Sequence, residues 1–476
     1  MASQTVTGLM TVLTAAMLSS ATSAVQLGAQ GGENRMDMDA LREETVRVMS
    51  QYLRINTSSP PGNELAAAKF LQEFLRREGI DGDVLDTAEL GPGRANFYAR
   101  LRGTGARKAI ALVHHMDVVP ALPEQWSVDP FSGAIKEGYV WGRGALDMKG
   151  QGVIHLMAMV ALKRSGMPLT RDIVFIANAD EEVEGKGAAT FVQKHADLLK
   201  DVEYLLTEGG NSYVERGRVH FFGLGVAEKR AYWLRLVVNG TPSHGSMPTR
   251  NNPVARLARA IDRISSWETP LRVLPAVDKF FKAQAVMEKG ERREWLANVP
   301  KALRNERGRK WILSDPYRNA VLRNTVTPTV VTGSSTTNII PAQASAEIDI
   351  RLLPDEDTAT FKRALKRVIA DTGVKVETMP GVASLYNAPL ETEMVSVIER
   401  VVAELLPGVP IATPMETGAS DRPTYSQAGI IAYGLGPFLV DVEEDRRGVH
   451  GIDERVSIDN IGFGLSLFVR VLQAIQ

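Results

Sequence analysis

Short apolar runs that end in His, Asp or Glu recur along this chain, with helical segments between them. Residues 96–101, 110–114, 173–177 and 204–207 read as strands. Two amphipathic helices, over 38–55 and 64–77, precede them, and helical segments at 150–163 and 187–195 separate them. Such alternation predicts an α/β sheet covered on both faces. The pattern changes near Gly225. Strands at 232–238, 344–350 and 374–377 and helices at 253–264 and 358–371 then suggest a smaller α+β domain. The α/β pattern resumes with a helix at 391–406, a strand at 430–435 and a final helix at 458–475. The expected organisation is one α/β domain, 35–225 and 383–476, interrupted by an inserted domain over 226–382.

A length of 476 residues accommodates two or three domains. Lys and Arg total 55 against 56 Asp and Glu, a formal net charge of −1. That balance argues against a nucleic-acid or membrane-surface protein held by bulk charge. No run of 18 apolar residues occurs, so no transmembrane helix is expected. The absence of cysteine excludes disulfides, thiolate metal sites and a Cys nucleophile. Residues 1–34 differ from the rest: an apolar, small-residue stretch from Leu9 to Ala24 is followed by a Gly/Gln-rich linker. This reads as an export signal, although no Lys or Arg precedes Arg35. A secreted or periplasmic location follows if it is one, and a cytoplasmic location if it is not.

The seven histidines and the acids at strand ends carry the chemistry. Ile110-Ala-Leu-Val-His-His-Met-Asp-Val-Val-Pro120 is an apolar strand running into a polar end. His115 and Asp117 are two apart, so extended chain puts both on one face. His115 can then bind a metal while Asp117 orients its ring. Alone, a His-x-Asp reads equally as a core-edge histidine. Trp141-Gly-Arg-Gly-Ala-Leu-Asp-Met-Lys-Gly150 brackets Asp147 with glycines, which suits a metal-bridging carboxylate or a capping Asp. A third strand ends in Asp180-Glu181-Glu182, where one acid can bind metal and another can serve as a base. A fourth leads into Glu208-Gly-Gly, and His450 sits in a polar loop before the last helix. Ligands of open α/β sheets bind outside the carboxyl ends of strands. Mixed His/carboxylate ligation suits zinc, with cobalt or manganese as alternatives.

Taken in order, these segments resemble the di-zinc metallopeptidase family that includes aminoacylase, acetylornithine deacetylase, succinyl-diaminopimelate desuccinylase and carboxypeptidase S. The resemblance runs from about Asp39 to the C-terminus. It implies a phosphorylase/hydrolase-like zinc peptidase domain with an inserted ferredoxin-like lid or dimerisation domain. By resemblance, His115 and Glu208 hold one zinc, Glu182 and His450 the other, and Asp147 bridges them. Glu181 is then the general base, and Asp117 holds His115. The motif Gly240-Thr-Pro-Ser-His-Gly-Ser-Met-Pro248 makes His244 the donor to the carbonyl oxygen, often across a homodimer. Thr337-Asn-Ile-Ile-Pro341 and Asp349-Ile-Arg-Leu-Leu-Pro354 make Asn338 and Arg351 substrate-binding residues.

Thr417-Gly-Ala-Ser-Asp-Arg-Pro-Thr424 departs from the family pattern, because Pro423 occupies the usual Arg position and Arg422 sits one residue early. Gly418 and backbone groups there can still line a pocket. His114, where the family often has Gly, reads as strand filler. The implied reaction is hydrolysis of an amide bond next to a free carboxylate, in a small peptide or an N-acyl amino acid. The long insert, about 265–324, resembles the carboxypeptidase S-like branch. Its Trp267, Phe280, Phe281, Trp295 and Trp311 could line an apolar acyl pocket or simply pack together. Its segment 279–310, with ten Lys or Arg and four Glu, reads as a solvated helical face before it reads as a patch for an anionic partner. The competing function is a non-catalytic, metal-stabilised binding protein on the same fold.

Overall fold

A strand with a continuous apolar run needs cover on both sides, and residues Ala109–His115 and Ile173–Asn178 are buried along their whole length. They lie at the centre of a six-stranded sheet in the computed structural model, which describes residues 36–381 and 384–476. The expected export signal at 1–34 lies outside the described residues. Five strands enter this sheet before residue 210: β1 (Gly82–Leu85), β2 (Asn96–Leu101), β3 (Ala109–His115), β4 (Ile173–Asn178) and β5 (Val202–Thr207). The chain then builds a second sheet from β6 (Arg230–Ala231), β7 (Leu234–Asn239), β8 (Thr325–Thr332), β9 (Gln343–Leu352) and β10 (Val374–Thr378). It returns to the first sheet with β11 (Ile431–Gly434).

The first sheet has the order β1-β2-β4-β3-β5-β11. β4, β3, β5 and β11 run parallel, and β1 and β2 form an antiparallel margin. Helices Met38–Leu53, Lys149–Ser165 and Ile458–Ala474 pack on one another. Asp37 starts the first of these by accepting hydrogen bonds from the N–H groups of Asp39 and Ala40, at 3.1 and 3.0 Å.

In the second sheet β9 pairs with β6 and β7 on one side and with β8 on the other, all antiparallel. β10 adds to the far side of β7. With helices Pro253–Ser265 and Thr358–Ile369 this is a β-α-β-β-α-β unit with a ferredoxin-like strand order. β9 alternates strictly between buried and half-buried positions, as a strand covered on one face should. Its buried side chains meet Leu257, Ala260, Ile264, Phe361, Leu365 and Ile369 in a separate hydrophobic core. The helices of the long insert behave differently. Val277, Phe280, Phe281, Leu296 and Ile312 join the core of the first sheet, whereas Trp267 packs on the second core against Phe361.

Candidate metal centre

Parallel strands that are neighbours in a sheet present their carboxyl ends side by side, and β4, β3 and β5 are such neighbours. His115 closes β3, the turn Asp180–Glu181–Glu182 follows β4, and Glu208 follows β5. Asp147 reaches the same place from the glycine-rich turn before the Lys149–Ser165 helix. His450 comes from the loop before the last strand pair, with its backbone in the left-handed region at φ 56°.

The donors fall into two sets that share one carboxylate. His115 Nε2 lies 3.1 Å from Asp147 Oδ1 and 3.8 Å from Glu208 Oε2. His450 Nε2 lies 3.2 Å from Asp147 Oδ2 and 3.0 Å from Glu182 Oε2. Each oxygen of Asp147 therefore serves one set. His115 Nδ1 sits 2.9 Å from the carbonyl oxygen of Asp117. A carbonyl only accepts, so Nδ1 carries the proton and Nε2 turns a lone pair toward the carboxylates. Lone pairs and negative oxygens this close favour a cation among them, a metal ion or a proton on each ring. The set of two imidazoles and four carboxylates (Glu181 included) has the donor chemistry to hold divalent metal ions.

Without a metal, the carboxylates draw a proton to each ring instead. Hydrogen bonds to Asp147 and then Glu182 raise the pKa of His450 to about 10. Burial opposes charge on His115, but its bonds to Asp147 and Glu208 outweigh that and raise it well above the ordinary histidine value. Burial, and next the charge of Glu208, push Glu181 well above the carboxylate range. Burial lifts Asp117 to about 6.

Asp117 does more than the sequence suggests. Its carboxylate accepts the N–H of Glu181 and the N–H of Glu182, both at 3.1 Å, and so sets the turn carrying both acids. Its own hold on His115 is through the backbone carbonyl, with the carboxylate 3.7 Å away. Asp180 takes a left-handed backbone at φ 67° and is anchored by Arg94, 2.7 Å away. His114 is buried behind the sheet beside Tyr52, and burial lowers its pKa well below the ordinary value.

A cavity of about 580 Å³ opens beside Asp147 and Glu208. Its apolar wall includes Tyr213, Phe221, Phe280, Tyr317, Met415 and Phe438, and Gly418 also lines it. Among the described side chains, no Lys, Arg or His lines it. Of the five insert aromatics, Phe280 reaches this wall; Trp295 and Trp311 pack on each other at 5.7 Å. Arg422 does not face the cavity. It is fully buried, pairs with Glu228 at 3.1 Å and with Glu416, and Glu416 in turn accepts the N–H of Gly210 at 2.8 Å, next to Glu208.

His244, Asn338 and Arg351 belong to the second sheet and its adjoining loops, and none of them lines the cavity. His244 and Asn338 are neighbours: His244 is exposed and meets Ser246 Oγ at 2.7 Å, and Gly245 N–H donates to the Asn338 carbonyl at 2.7 Å. Arg351 pairs with Asp349 at 2.8 Å.

Residues 111–474 match the model of peptidase family M20/M25/M40. The chain belongs to that family. As an M20 protein it is a metal-dependent hydrolase of amide or peptide bonds. It is 28% identical over 458 residues to the N-fatty-acyl-amino acid synthase/hydrolase PM20D1 of Mus musculus, covering 90% of this chain and 88% of that protein. It is 26% identical over 441 residues to aminoacylase-1 of Homo sapiens, covering 90% and 95%. The fold is shared with the M20 family metallo-carboxypeptidase Sso-CP2 from Sulfolobus solfataricus, at a TM-score of 0.68 and 19% identity over 91% of this chain and 99% of that one. No helix among the described residues is long and apolar enough to cross a membrane.

Proposed function

We propose that this M20 hydrolase cleaves N-acyl amino acids, and small peptides of like shape, whose acyl side is large and apolar. The observation that carries this reading is the aromatic-walled cavity beside Asp147 and Glu208. Burying apolar surface contributes about 25 cal/mol per Å², so a long acyl chain gains most by lying there. Among the described side chains the cavity offers no cation to a carboxylate and its wall is mostly apolar, so the acyl end gains more from entering it than the amino-acid end does. The names of the mouse and human relatives fit the same substrate class.

In this reading His115, Asp147 and Glu208 hold one zinc and Asp147, Glu182 and His450 the other, with cobalt or manganese able to substitute. When bound, the metal pair supplies Lewis acidity and makes water a nucleophile near neutral pH. Glu181 takes the proton of the attacking water and passes it to the leaving amine. Asp117 keeps Glu181 and His115 in place. The second sheet serves as the lid within 226–382. Its closure, or a second copy docked along the exposed edge of β8, brings His244 to the carbonyl oxygen and Asn338 and Arg351 to the substrate carboxylate. Export to a secreted or periplasmic location remains part of the proposal and is checked by sequencing the N-terminus of the mature protein.

The test is amine release by the zinc-loaded protein from one amino acid carrying acyl groups of increasing length, alongside dipeptides. Release that a chelator abolishes, zinc restores and longer acyl groups accelerate is the expected result. A preference for acetyl overturns the acyl assignment. No release with both metals bound supports the non-catalytic alternative.

A further inference from the structure

Five of the six residues around the metal centre hang on strand ends or the turns that follow them, or precede a helix, but His450 is different. It lies on a loop, with its side chain 53% exposed against 1% for His115. Something must hold that loop at the distance the second donor set requires. One buried ion pair does so. Glu454 is fully buried and Arg143 is 2% exposed, and their charged groups meet at 2.7 Å.

The two side chains divide the work. The Glu454 carboxylate accepts three backbone N–H groups from the turn that presents Asp147: Gly144 at 2.9 Å, Leu146 at 2.7 Å and Asp147 itself at 3.0 Å. The Arg143 guanidinium lies against the Trp126 ring, 5.1 Å from its centroid. It donates to the carbonyl of Gly448, at 3.3 Å, and to that of Gly451, the residues flanking the His450 turn. Glu454 thus grips the Asp147 turn from the far end of the His450 loop, and Arg143 grips the His450 loop from the near end of the Asp147 turn. Neither side chain touches the donor atoms.

We propose that Arg143 and Glu454 are a positioning pair that assembles the second metal site, the one shared by Asp147, Glu182 and His450, and bears less on the first, which it reaches only through Asp147. This rests on the assignment of Asp147 and His450 as ligands. The physical reason is geometric. A planar guanidinium can reach a carboxylate and two carbonyls at once, and an ammonium cannot hold the same three directions. The first site shares Asp147 but draws His115 and Glu208 from adjacent strands of a buried sheet, so the clamp places one of its three ligands against two of three in the second site.

The experiment titrates the metal-free full-length protein with Zn²⁺ against a chromophoric chelator, and with Co²⁺ followed by its visible absorption. The proteins are wild type, Glu454→Gln and Arg143→Lys. Partners behind the ligands typically contribute about 10–100-fold in metal affinity. Both variants are expected to weaken binding at the second site by about that factor and at the first by a smaller one. Arg143→Lys keeps the buried charge balanced, so it carries the test if Glu454→Gln does not fold. Equal weakening of both events, or full rescue by lysine, means that the pair merely supports the fold and overturns the proposal. Unchanged second-site affinity overturns it too. A wild-type protein that binds fewer than two ions instead strikes the metal-centre reading itself.

Discussion

Truncating Phe280 separates the acyl-pocket reading from a purely structural role for the insert. The ring is 3% exposed and packs edge-on against Phe221 at 5.7 Å and Tyr317 at 5.5 Å, with Phe281 at 5.6 Å. Phe→Ala in a closed core costs about 3–5 kcal/mol. Here the space left behind opens into the existing cavity, where water can enter, so the cost should sit near the lower end, about 3 kcal/mol. The effect on substrate is separate and depends on chain length. An acyl chain that loses the contacts of two or three methylenes loses about 2 kcal/mol, or about 30-fold in kcat/KM. Acetyl substrates do not reach the ring and should change less than about threefold. The assay compares kcat/KM for acetyl and long-chain acyl forms of one amino acid in wild type and Phe280→Ala, with a thermal melt of each. A 30-fold collapse of the long-to-short ratio supports the argument. An equal loss for every chain length would refute it, because the cavity would then not be where the acyl group lies.

Other outcomes follow from the same geometry. Glu181→Gln should bind two metals as wild type does and lose about a hundred- to ten-thousand-fold in kcat; turnover within tenfold of wild type would remove Glu181 as the base. His244→Ala should lower kcat while elemental analysis finds the metal content unchanged; loss of metal in step with activity would place it at the metal centre instead. Between the helices that cover the second sheet, hydrogen bonds from Arg256 hold the Asp371 carboxyl down at about 2. The folded form therefore gains from this pair above the ordinary carboxylate range and loses the gain as pH falls through 2. Both partners are partly solvated, so Asp371→Asn should cost about 0.5–1 kcal/mol at pH 6. Denaturation at both pH values should show the gap closing toward pH 2, and a gap independent of pH would refute the ion pair as its source.

Much of this was legible in the residues, because the chemistry sits at the ends of apolar strands. β3 and β4 carry unbroken apolar runs and β5 a short one at 204–206, and a polar residue that ends such a run at the carboxyl edge has one place to go. His115, Glu181, Glu182 and Glu208 were readable as candidates in that way, whereas Asp147 and His450 lie on turns and were singled out together by the family resemblance. β8 was missed, and its sequence explains why. Pro328 removes a ladder donor, which reads as a break, yet the strand survives as an edge with a register shift beside that proline. Arg143 and Glu454 lay inside recognised motifs, but their roles depend on which backbone groups they meet across about 300 residues of chain, which no local pattern encodes. Arg422 stood out as a displaced arginine, and only its burial beside Glu228 and Glu416 shows that it acts inside the protein.

The division of apolar side chains between two interiors has a consequence for how this molecule comes apart. Cooperativity belongs to a shared interior, and two interiors joined through a few strands have two places to fail. A calorimeter should record two endotherms, the smaller from the second sheet. Phe280→Ala would shift the one and Asp371→Asn the other, so heat would report which interior a given side chain serves.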